Sequence, residues 1–176
     1  MDDLIQKLNT ADQSKPEFSI YIEQAGETQS VKVLDTLLKI LKTGNKKHLC
    51  AIARALAKIG IKEAVPELLE HLFLPDFYKR REIGQAIKDI VTRAKKIEDL
   101  GYIIDAVVTS IKNNRNHPFC QERDQEVQSV LHAINAKNEF LRQEKIVQTS
   151  NGHILKLKNP NGIQLGKKSA PKKLIC

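Results

Sequence analysis

The chain repeats itself. Residues 33–60 align with residues 64–91 at a constant separation of 31 positions, pairing Leu37 with Leu68, Leu38 with Leu69 and Leu41 with Leu72. The same register continues through Ile52 and Ile83, Ala55 and Ala86, Leu56 and Ile87, and Ile59 and Ile90. A period of this length marks units that cannot bury an apolar face alone and must stack on their neighbours to do so. The expected fold is therefore a linear stack.

Within each unit the apolar residues recur three and four positions apart, as in Leu34, Leu37, Leu38 and Leu41, then Ile52, Ala55, Leu56 and Ile59. That spacing places them on one face of a helix, so each unit predicts two amphipathic helices. Gly44 and Asn45 read as a stop and a cap between the helices of the first unit, and Pro75 with Asp76 takes the same place in the second. Gly60 supplies a left-handed position after a helix, and Pro66 falls in a first helical turn, where its missing N–H costs little. A divergent third unit spans 100–111 and 126–137, with Val107, Val108 and Ile111 matching Leu68, Leu69 and Leu72, and Ala133 and Ile134 matching Ala86 and Ile87. Its extra residues are assigned to a helix continued through Arg93, Lys95 and Lys96, and to a turn over 113–120.

The fold class expected is all-α: a short right-handed α-solenoid of about three helical hairpins over residues 31–145. Residues 1–30 read as an N-terminal helix around Leu4, Ile5 and Leu8 followed by an extended lead-in, because Phe18, Ile20 and Ile22 alternate with polar neighbours as in a strand. Residues 146–176 read as a small β-hairpin, Ile154 to Lys158 and Ile163 to Leu165 around Asn159-Pro160-Asn161-Gly162, then a disordered basic tail.

Composition bears on core and partners. Hydrophobic residues make up 41% of the chain but aromatics only 5%, with no Trp, which fits helix pairs packed through Leu, Ile and Ala. The acidic start is unlike a secretory leader, no apolar run approaches the roughly 20 residues that cross a bilayer, and three scattered cysteines suggest no disulfide framework. A cytoplasmic protein with no membrane partner is expected. Net charge is +8, yet after residue 145 there are six lysines and no acid, so the repeats are nearly neutral and the positive charge belongs to the last segment.

The run 54–69, Arg54-Ala55-Leu56-Ala57-Lys58-Ile59-Gly60 followed by Glu63-Ala64-Val65-Pro66-Glu67-Leu68, resembles the HEAT-like repeat of phycobilisome-lyase type, in which A-L-x-x-I-G precedes E-A-V-P-x-L. Leu74-Pro75-Asp76 with Arg80, Arg81, Ala86 and Ile87 resembles the next half of that repeat. The resemblance implies an α-solenoid that presents a surface to a protein partner, and a structural pairing role for Asp76 and Arg81. It also admits an auxiliary phycobilin lyase or chromophore chaperone. Deoxyhypusine hydroxylase shares the repeat, but its di-iron site uses His-Glu dipeptides and this chain contains none.

No catalytic residue, cofactor or metal is expected. His117 with Cys120, and His48 with Cys50, each offer two ligands where tetrahedral zinc takes four, and no Ser or Cys falls beside a His and a carboxylate. The candidate partner-binding residues are the polar loop Asn113, Asn114, Arg115, Asn116 and His117, the cations Lys79 and Arg80 at a helix start, and Lys167, Lys168, Lys172 and Lys173. The function expected is a non-enzymatic scaffold that binds a protein through its inner helices and third-unit loop. Nucleic-acid binding through the terminal lysines is the alternative; it would act on phosphates, since no aromatic residue follows position 145 to stack on bases.

Overall fold

A computed structural model describes residues 1–43, 46–114, 116–117 and 124–149, with side chains described as far as residue 143. Among these residues there are eight α-helices and no strand: α1 (Asp2–Thr10), α2 (Glu17–Glu27), α3 (Leu34–Thr43), α4 (Leu49–Ile59), α5 (Val65–Glu70), α6 (Phe77–Arg93), α7 (Ile97–Asn113) and α8 (Gln125–Thr149). Short 3₁₀ turns at Val31–Val33, Lys46–His48 and Lys62–Ala64 lead into α3, α4 and α5.

The helices form four hairpins, α1 with α2, α3 with α4, α5 with α6 and α7 with α8, stacked so that α2, α4, α6 and α8 make one row and α1, α3, α5 and α7 the other. Each helix has one apolar stripe, and the two rows close those stripes on a shared core. Leu37, Ile52, Leu56, Leu68, Ile83, Ile87 and Ile103 are almost wholly buried there, in agreement with the 31-residue register. Two local signals act as expected. Gly60 ends α4 at φ 76°, a conformation in which its N–H bonds Leu56 O, and Pro66 sits in the first turn of α5.

Three expectations are corrected. The stack holds four hairpins among the described residues, not three, because the segment taken as an extended lead-in is helix α2. Phe18 and Ile22, four positions apart, are buried on one face while Ile20 lies exposed on the other, so the apparent alternation is half of a helical stripe. Ile22, Ala25 and Gly26 lie 30 positions before Ile52, Ala55 and Leu56, so the first hairpin repeats the others one residue short. Finally, α6 stops at Arg93. Lys95 and Lys96 lie in the turn before α7, and the third unit's extra length is in α7 itself. The proposed stop at Gly44 and Asn45, and the β-hairpin and tail, lie outside the described residues.

Candidate protein-binding surface

At the start of α6 the chain turns sharply and a cap holds it. The Asp76 carboxylate accepts the Lys79 N–H at 3.1 Å and lies 3.2 Å from Lys79 Nζ. That backbone N–H, followed by the Lys79 side chain, holds the Asp76 carboxyl below the usual carboxylate range. The first turn then sends side chains in opposite directions. Phe77 and Tyr78 project outward, 55% and 62% exposed, and Arg81 is exposed beside them. Arg80 turns inward.

Arg80 is only 7% exposed, and its guanidinium bonds the Asp124 carboxylate in front of α8. The same carboxylate accepts the N–H groups of Glu126 at 3.1 Å and Val127 at 3.3 Å, so one residue both caps α8 and fastens it to α6. The Phe77 ring lies 5.9 Å from the Arg80 guanidinium carbon. The inter-unit pair that the resemblance assigned to Asp76 and Arg81 is thus formed by Arg80 and Asp124. Arg80, expected on a partner surface, is committed to the stack instead. Next to Tyr78, Arg54 of α4 meets Glu82 of α6 at 2.8 Å. Cys50, at the start of α4, is half-buried, and burial followed by the charge of Glu82 pushes its thiol pKa up.

The third-unit loop packs against the same end. Asn114 Nδ2 donates to Ser110 O at 2.9 Å, the His117 N–H donates to Asn114 O at 2.8 Å, and the His117 ring lies 5.9 Å from that of Phe73. His117 is half-buried, whereas Asn116 is exposed. Arg115 and Cys120 lie outside the described residues, as do Lys167, Lys168, Lys172 and Lys173.

A second surface opens on the other row. α5 is six residues long and α7 seventeen, about 9 Å against about 25 Å of helix, so α7 overhangs its neighbour. The uncovered side forms an open groove of about 490 Å³ walled by Pro66, Leu69, Ala106 and the Tyr102 ring. Glu70 and Asp105 stand on it, and Asn113 and Asn114 close its end. Two of the five loop residues expected to bind a partner therefore line a groove that sequence spacing did not reveal. Its cause, the end of α5 at Glu70, carries no stop residue in the sequence, where Leu72, Phe73 and Leu74 continue the apolar run.

His48 has a structural place. It is 3% exposed, with Nδ1 2.9 Å from Ser19 Oγ and Nε2 2.7 Å from Gln13 O. Because a carbonyl only accepts, Nε2 carries a proton and donates to it. Both ring nitrogens thus tie α4 to the first hairpin, and among the described residues no three His, Cys, Asp or Glu side chains gather where they could hold a metal ion. No described helix is long and apolar enough to cross a membrane.

Stacked helical hairpins closed on a shared core and an Asp–Arg bolt across the stack define a helical-repeat protein. The family model for HEAT repeats matches residues 1–105, and the chain belongs to that family. The match begins at the first hairpin, in agreement with the helical assignment of residues 17–27. No curated protein and no solved structure matches the chain.

Proposed function

We propose that this HEAT-repeat protein is a non-enzymatic scaffold that holds a protein partner at the edge of the stack where α6 begins. The observation that carries the reading is the adjacent pair Phe77 and Tyr78, both more than half exposed. Large aromatics left in water beside an exposed arginine are the composition of protein-binding hot spots. Arg81 supplies that cation, and the Arg80–Asp124 contact beneath Phe77 joins the patch to the foot of α8. Lys79 is half-buried and held by Asp76, so its part is to shape the turn. HEAT repeats commonly serve as interaction surfaces of this kind.

Phe77 and Tyr78 carry little of the fold, so both can be truncated without collapsing it. A photoreactive side chain at position 81 is expected to capture a partner that the same group at position 9, at the far end of the stack, does not. Phe77→Ala with Tyr78→Ala is expected to weaken that partner's binding by tenfold or more, since a hot-spot residue contributes about 2 kcal/mol or more. Unchanged binding by the double variant would end this reading. No described residue favours the chromophore alternative, and the nucleic-acid alternative rests on lysines beyond residue 149.

A further inference from the structure

The last helix of the second row carries an apolar stripe on its open side. Ile97, Gly101, Ile104, Val108 and Ile111 follow one another at intervals of four and three positions, which sets them in one line along α7, and all five are half-buried. Ile104 stands two positions from Tyr102 and Ala106, and Ile111 two from Thr109 and Asn113. Two positions are about 200° of helix turn, so the stripe faces away from the α5 groove that those four residues line. A Cβ added at Gly101 would meet no described atom within 4 Å. In α8, Ser129 faces α6, where it accepts from Lys88 Nζ at 2.8 Å, and Leu131, two positions on, points out of the stack and is half-buried. The positions of the preceding unit that match Ile104, Val108 and Ile111 are Val65, Leu69 and Leu72, and these are buried, with another hairpin stacked beyond them. A solenoid whose terminal stripe is apolar needs a cap with a polar outer face.

The sequence beyond α8 has the pattern of such a cap. In Asn159-Pro160-Asn161-Gly162, Asn159 and Pro160 suit the first two positions of a type I turn and Gly162 the left-handed position that follows, the signature of a three-residue hairpin loop with a bulge. That loop sets Asn159 opposite Ile163 and Leu157 opposite Leu165. Leu155, Leu157, Ile163 and Leu165 then share one face, with Lys156, Lys158 and Gln164 on the other. A lone hairpin is marginal in water and needs a surface for its apolar face. We propose that residues 154–165 form this hairpin and cap the open end of the stack of their own chain, with the four apolar side chains on the Ile97–Ile111 stripe and the lysines in water. The reach is sufficient. α8 has 25 residues and α7 has 17, so the chain leaves α8 about 12 Å beyond the start of α7. Leu155 is six positions past Thr149, up to about 20 Å of extended chain, against a path of about 16 Å back and across to Ile97. A strand of five residues then covers about 17 Å of the roughly 21 Å between Ile97 and Ile111.

The cap goes beyond the aromatic patch at α6 and is tested apart from it. A photoreactive leucine analogue at position 157 of the full chain, in an equal mixture of ¹⁴N- and ¹⁵N-labelled molecules, is expected to link to residues 97–111 within a single label. Mixed-label links would seat the segment on a second copy and overturn the proposal, as would links only to other elements, or none. Val108→Asp places a charge within the stripe, and amide hydrogen exchange over residues 154–165 is expected to accelerate tenfold or more while exchange in α2, α4 and α6 stays as in the original chain. Unchanged exchange over residues 154–165 would overturn the cap. Should Val108→Asp also loosen those helices, Leu155→Ser with Leu157→Ser, which lies outside the repeats, gives the reverse reading. In that variant the methyl NMR signals of Ile104, Val108 and Ile111 are expected to shift, and signals that stay in place would likewise overturn it.

Discussion

The two rows of helices are held in different ways. In the row α2, α4, α6 and α8, neighbours pack along most of their lengths, while α1, α3 and α5 meet one another over short stretches and only α5 and α7 approach more fully. Side-chain size explains the first row. Gly26 of α2 lies so close to α4 that an added Cβ would stand 2.7 Å from Ala55 Cα, and Ala53, Ala55 and Ala86 keep the following contacts close. In the second row α5 is only six residues long, which limits its contact with both neighbours, while α1 and α3 are nearly as long as α2 and α4 and simply touch over less of their surface. Lys42 reaches Glu67 at 2.6 Å and Lys62 reaches Asp99 at 2.5 Å across that row. Close packing fixes the fold in one row, and in the other a groove opens where α7 runs on past the short α5.

If that contrast is right, substitutions in the tight row cost far more than charge removal in the loose one. Asp124→Ala has the largest expected effect. It removes the carboxylate that bonds the buried Arg80 guanidinium and caps α8, a loss of about 3–5 kcal/mol in chemical denaturation. Gly26→Ala comes next, at about 1–3 kcal/mol, because the methyl group meets backbone rather than a yielding side-chain tip. Lys62→Gln, by contrast, is expected to leave the denaturation midpoint nearly unchanged, since both members of its pair are about one-third exposed. A loss from Lys62→Gln equal to that from Gly26→Ala would break the comparison.

The tight row was also the legible one. Ile52, Ala55 and Leu56 recur at a fixed distance in Ile83, Ala86 and Ile87 because each occupies the same place between two neighbours, so one packing geometry writes one pattern. The first hairpin escaped notice for a physical reason: Gly26 stands where Leu56 and Ile87 stand later, trading an apolar side chain for close approach and erasing part of the repeat. The Arg80–Asp124 bolt was half legible. An arginine and aspartate pair was anticipated from the resemblance, but which of two adjacent arginines turns inward is set by the helix phase at Asp76, and its partner lies 44 positions away. The groove left no apolar signature, since it arises from unequal helix lengths. The positions suggested for partner contact fall in different places: Asn113 and Asn114 line the groove and Arg80 is buried, while the exposed Phe77 and Tyr78 are not among them.

The smallest effect probes the loose row through its own histidine. His71 follows the last turn of α5, where its N–H bonds Leu68 O at 3.0 Å. Burial pulls its pKa below the ordinary 6.5 and Lys46 adds to the shift, while Glu70 and Glu67 oppose it. The folded chain therefore releases this proton at a lower pH than the unfolded chain does. Well above pH 6.5 both states hold a neutral ring and the group has no effect; as pH falls past 6.5 through the depressed folded value, the unfolded state binds the proton first and stability declines. His71→Gln is expected to flatten that part of the stability profile without altering it above pH 7. Glu70→Gln should move the His71 imidazole titration, followed by NMR, further down, because it removes the nearest charge that favours the protonated ring. A His71 that titrates at or above 6.5 would mean that water reaches the end of α5 freely, and the loose row would then be looser than its groove suggests.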